Sequence, residues 1–97
     1  MHNIVYLLGR ITDIKTIEEK EIIVTLAVQK TTFKDGKYEI NLIPCVLYNN
    51  MAIHTKKYCC EGDLIGIKGS LEIDDNNMVV VADKVSFLSS KRTEEGK

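Results

Sequence analysis

The chain has no tryptophan, one proline, two phenylalanines and three cysteines in 97 residues. The cysteine count is odd and Cys59-Cys60 are adjacent, which excludes an ordinary disulfide framework and points to a reducing, cytoplasmic setting. No apolar run approaches the roughly 20 residues of a transmembrane helix. His2 and Asn3 lead straight into strand-like alternation with no signal-type apolar region, so no membrane partner is expected. Motifs of catalysis are also missing: there is no G-x-S-x-G, H-E-x-x-H or glycine-rich phosphate loop. His54 and the cysteines lack the spacing of metal ligands. The expectation is a protein that is not an enzyme and carries no cofactor and no metal.

An excess of one charge is absent too. Thirteen Lys+Arg stand against 14 Asp+Glu, a net charge of −1, which is not the basic footprint of a nucleic-acid binder. Any hold on phosphate must come from local clustering. Lys30, Lys34 and Lys37 accompany a single aspartate between residues 30 and 37, while Glu18-Glu19, Asp74-Asp75 and Glu94-Glu95 gather acid elsewhere.

What the chain does have is 44% apolar residues in a length suited to one modest core. Residues 1–88 read as one domain and 89–97 as a polar, flexible tail. A first strand runs over Ile4–Ile11, apolar on both faces, with Gly9 marking a bend or bulge. A polar connection, Thr12 to Glu21, precedes a second strand at Ile22–Thr31, where Val24, Leu26 and Val28 share one face. Asp35-Gly36 is a hairpin-turn signal, since a two-residue turn needs positive φ. The third strand, Tyr38–Tyr48, contains Pro44, which requires an edge or a bulge. A short helix from Met51 to Cys60 follows, capped by Asn49 or Asn50 and stopped by Gly62. Leu64–Ile73 and Met78–Leu88 form a final hairpin around a tight turn. Five strands with a helix between the third and fourth is the plan of the OB-fold, an all-β Greek-key barrel. Periodicity alone leaves other small β-rich folds open.

Particular stretches narrow the choice. NIVYLLGRIT, TLAVQKTTFKDGKYE, IPCVLYNNMA, KYCCEGDLIGIKGSLE and VVVADKVSFL resemble, in order, successive segments of the bacterial and phage single-stranded DNA-binding protein family. The resemblance runs from Asn3 to Leu88. It implies an OB-fold that binds single-stranded DNA in replication, recombination or repair as a homo-oligomer, without catalysis. It places aromatics for base stacking at Phe33 and Tyr48, with Tyr38 beside them. Lys30, Lys34, Lys37 and Arg10 are the cations that would follow the phosphates. Tyr38 keeps a second reading as the cross-strand partner of Phe33, and Tyr48 as a sheet-edge residue. The apolar outer face of the first strand, Ile4, Tyr6 and Leu8, is expected to meet another copy as a dimer or tetramer. Tyr58 is expected to cap the core, and Cys59 to act as a small buried hydrophobe.

The chain also departs from the family pattern. Leu42 stands where a stacking aromatic is common, Asn49 and Asn50 where basic residues are common, and the fourth-to-fifth hairpin is short. These departures suggest a specialised binder. They also keep alive the alternative of an OB-fold interaction subunit in a replication or primosome-type complex, with little strand affinity.

Overall fold

Alternating apolar residues, rich in Ile, Val and Leu, generate five long strands in the computed structural model, which describes residues 2–90. The order is β1 (Val5–Glu18), β2 (Glu21–Lys34), β3 (Lys37–Tyr48), α1 (Asn49–Tyr58), β4 (Leu64–Asp74) and β5 (Asn77–Ser89). The strands close into a barrel in the order β1-β2-β3-β5-β4. All pairings are antiparallel except a short parallel contact, Cys45 with Val80 and Val46 with Val81. This is the OB plan expected from the sequence, helix placement included.

Closure depends on β1 serving two neighbours. Val5 to Arg10 pair with β4, and Arg10 to Glu18 pair with β2. Gly9 sits at this corner. A Cβ there would lie 2.5 Å from the Ala27 carbonyl oxygen, so the glycine permits close approach of two backbones. The ladder runs unbroken through Gly9, and the first irregularity in β1 falls between Ile11 and Asp13. The stretch from Thr12 to Glu18 is strand, not the expected connection, because pairing with β2 carries its polar side chains outward. At the other end of β1, the Asn3 side-chain amide donates to Leu71 O and accepts from Leu71 N–H, both at 2.8 Å. It occupies the β4 edge where a further strand residue would pair.

One face of each strand fills the barrel: Ile11, Ile22, Val24, Leu26, Cys45, Leu47, Ile65, Ile67, Val80 and Ala82, with Ala52 of α1 plugging one end. Each fully buried Ile, Leu or Val contributes roughly 1.5–3 kcal/mol. Pro44 faces Thr25 of β2 and lies just outside the parallel contact with β5, so its missing N–H costs no ladder bond there.

The helix departs from expectation at both ends. Neither asparagine supplies a side-chain cap; Tyr48 occupies the cap position, and Asn49 takes φ 58° while its N–H bonds Lys20 O at 2.8 Å. The helix ends at Tyr58, where the Cys59 N–H reaches Thr55 O, and Gly62 (φ 96°) belongs to the following turn. Tyr58 does not cap the core. It points to solvent, beside His54 and Lys57, because the buried face of so short a helix is only Ala52 and Thr55. The fifth strand extends through Ser89. Most of the expected tail, residues 91–97, lies outside the described residues.

Candidate nucleic-acid interface

Beyond the core, β2 and β3 continue as a two-stranded arm closed by Asp35 (φ 53°) and Gly36 (φ 77°). Positive φ at both positions is the primed turn that matches the twist of the flanking strands. Phe33 pairs with Tyr38 across the arm, with ring centroids 4.9 Å apart and planes at 67°. The rings are 60% and 51% exposed. Tyr38 is thus the cross-strand partner of Phe33 and is itself half exposed.

Lys34 and Lys37 are directly opposite one another next to the turn, without a carboxylate partner among the described residues. Strand alternation places them on the face opposite the two rings, so cations and aromatics share the arm but not a face. Lys30 is different. Its ammonium is 3.9 Å from Glu39, an exposed pair worth little to stability, yet one that holds a carboxylate beside this cation.

The remaining expected residues are not brought to the arm. Tyr48 lies ten residues further along β3, roughly 33 Å of extended strand. It faces Glu21 across the β2–β3 ladder. Its phenol is pushed above its ordinary range by partial desolvation, then by the carboxylates of Glu21, Asp74 and Glu72. That neighbourhood repels phosphate. Arg10 stays at the β1 corner, donating to Gly62 O at 2.9 Å. Tyr6 and Leu8 on the outer face of β1, and Ile4 just before it, are exposed among the described residues.

Sequence reasoning named Leu42 only as a departure from the family pattern and missed other exposed apolar residues. Ile40 lies with Leu42 on the ring-bearing face of β3, and Leu71 and Met78 rim a cavity of about 310 Å3 at the barrel mouth, with Val5 and Ile43. The signal for Ile40 was available: it is apolar at a position whose parity, set by Cys45 and Leu47, points outward.

Two of the three cysteine thiols are held protonated by burial. Burial pushes the Cys45 thiol up to about 12. Burial also raises Cys59, followed by the charge of Asp63 and by Cys60; Cys59 is half-buried against the core, as expected of a small hydrophobe. Among the described residues no cluster of three His, Cys, Asp or Glu could hold a metal ion. No described helix is long and apolar enough to cross a membrane.

Residues 2–88 match the profile of the Single-strand binding protein family. A "Single-stranded DNA-binding protein" of Clostridium tetani is 39% identical over 101 aligned residues, covering 89% of this chain and 70% of that one. "Single-stranded DNA-binding protein B" of Bacillus subtilis is 33% identical, covering 98% of this chain and 97% of that one. Among solved structures, a small single-stranded DNA binding protein from Mycoplasma pneumoniae superposes with a TM-score of 0.67 at 22% identity, covering 88% of this chain and 92% of that one. At that identity the superposition speaks to the fold alone.

Proposed function

The chain belongs to the single-strand binding protein family, and from that premise we propose that it binds single-stranded DNA without reading its sequence, gripping the strand with the β2–β3 arm. It binds and does not catalyse. The observation that carries this reading is the exposed Phe33–Tyr38 pair on the β2–β3 arm, with Lys34 and Lys37 beside the turn. Every base has a π-face, so stacking on such rings is sequence-tolerant and is worth roughly 1–3 kcal/mol per base. Ring faces on one side of the arm and ammonium groups on the other suit a strand that crosses the ribbon, its bases on Phe33 and Tyr38 and its phosphates reached around the edge. Lys30 contributes less, because Glu39 shares it. Tyr48 and Arg10 are secondary contacts at most.

Ile4, Tyr6 and Leu8 form the surface for self-association. The setting is the cytoplasm, in replication, recombination or repair, with replication proteins as further partners. The acidic surroundings of Tyr48 and the Lys30–Glu39 pair favour a second reading, an interaction subunit of a replication complex with weak strand affinity.

Fluorescence anisotropy with labelled oligo-dT of a few tens of nucleotides, at low and moderate salt, separates the two. Saturable, salt-sensitive binding supports the first. Absence of binding at micromolar protein in low salt, together with capture of a replication protein, establishes the second.

A further inference from the structure

Strand β5 has a strand on each side only near Val80 and Val81, where it runs parallel to β3. Its pairing with β4 continues to Ser89. β3 stops short because the chain turns into α1 at Asn49, with φ 58°, so the place beside β5 that a longer β3 would occupy is left vacant. Between register shifts at Asp83 and Leu88 the run of residues 84–87 is regular and pairs with β4 alone. Among the described residues no backbone bond from α1 reaches it. In an antiparallel ladder every second residue turns both its N–H and its C=O away from the partner strand. About 13 Å of ladder edge is therefore open on the α1 side of β5.

That edge borders a cleft. α1 packs chiefly on β2 and β3, which leaves a space of about 480 Å3 between the helix and β5. Met51 and Tyr58 form the helix wall, Val85 and Phe87 the strand wall. Tyr58 and Phe87 are 59% and 53% exposed, so the cleft offers apolar surface on both sides. Its rim is cationic: the Lys57 ammonium lies 5.3 Å from the centre of the Tyr58 ring, and His54 stands 5.4 Å from the same ring. Neither the helix nor the lining of the cleft contains a carboxylate. Residues 91–97, KRTEEGK, carry no apolar side chain that would suit the space.

We propose that this cleft receives an extended segment of another protein, which adds to the open edge of β5 as a further strand. Alternate apolar side chains of the segment lie between Phe87 and Tyr58, and a carboxylate sits against Lys57. In such strand addition the backbone bonds supply affinity, while pockets for alternate side chains supply selectivity. A small apolar molecule would fill the cleft but leave the ladder edge bare, and a free anion would answer Lys57 alone. The proposal goes beyond strand binding and does not depend on it, since the cleft shares no residue with the β2–β3 arm. A strand of DNA and a peptide are held at separate places.

The test uses the full chain and a labelled seven-residue synthetic peptide that alternates Phe and Val with Thr and ends in two glutamates. Anisotropy should show saturable binding in the micromolar range, and amide exchange should slow at those positions of 84–87 that turn away from β4. Methylating alternate peptide nitrogens keeps the side chains but removes ladder donors, and should weaken binding by roughly tenfold or more. Exchanging the two glutamates for lysines should weaken binding to the wild type and restore it with Lys57→Glu. Phe87→Ser should bind the peptide less tightly yet hold oligo-dT like the wild type. Absence of binding at several hundred micromolar, or equal binding of the methylated peptide, overturns the proposal. So does slow exchange at the open positions of the free chain: if independent of concentration it assigns the cleft to the chain's own residues, and if it grows with concentration, to a second copy.

Discussion

Replacing Phe33 by alanine removes one ring of the arm and little else. Phe33 is 60% exposed and its main neighbour is Tyr38, 4.9 Å away, so the loss of folding stability is that of one aromatic pair, about 0.5–1.5 kcal/mol. That is small beside the 2–5 kcal/mol of a buried Leu→Ala change such as Leu26→Ala would give. The barrel should therefore stay folded at room temperature. The loss in binding is expected to be larger. One stacked base at about 1–3 kcal/mol corresponds to roughly 5- to 160-fold weaker affinity. Because Tyr38 braces Phe33, removing both rings should cost less than the sum of the single losses in stability, where they share a contact. The assay is an anisotropy titration of labelled oligo-dT, run beside a urea unfolding curve for each variant. Phe33→Leu is the sharper control: it keeps apolar bulk but offers no ring face, and should recover little affinity. A Phe33→Ala protein that unfolds like the wild type and binds within twofold of it would refute the stacking argument for this arm.

Other outcomes follow from the same geometry. Lys34→Ala and Lys37→Ala should each flatten the slope of log affinity against log salt by about 0.7 if that ammonium neutralises one phosphate, whereas Lys30→Ala should change it less because Glu39 is already beside it; equal changes for all three would contradict the pairing. Gly9→Ala places a Cβ 2.5 Å from the Ala27 carbonyl at the corner of β1, and a destabilisation of about 1–3 kcal/mol by overpacking is expected in urea; an unchanged midpoint would show that the corner can open. The Cys45 thiol, held up to about 12 from an ordinary 9.0, keeps its proton in the folded state while the unfolded thiol loses it. Its contribution to stability is therefore complete below pH 9 and falls away as pH rises toward 12. The urea midpoint should drop more steeply over that range for the wild type than for Cys45→Ala, and native Cys45 should resist alkylation at pH 8 until the barrel unfolds.

The amino-acid sequence alone determined the parts of this protein that depend on short-range chemistry. Period-two alternation grouped Val24, Leu26 and Val28 on one face, Asp35-Gly36 assigned the hairpin turn, and the change of period after Tyr48 placed the helix. Each is decided within two to four residues, the range over which side-chain direction and turn geometry act. The aromatic arm was legible for that reason. The strand from Thr12 to Glu18 was not, because five of its seven residues are polar and pairing with β2 holds them extended. Tertiary structure also decided the electrostatics. Counted straight back from the turn, Lys30 would face Asn41, but a register shift between Gln29 and Phe33 brings it to Glu39. Tyr48 met acid from β4, more than twenty residues later in the chain. Charges act through space, so their neighbours are set by register and barrel closure, and those are settled only when distant strands pair.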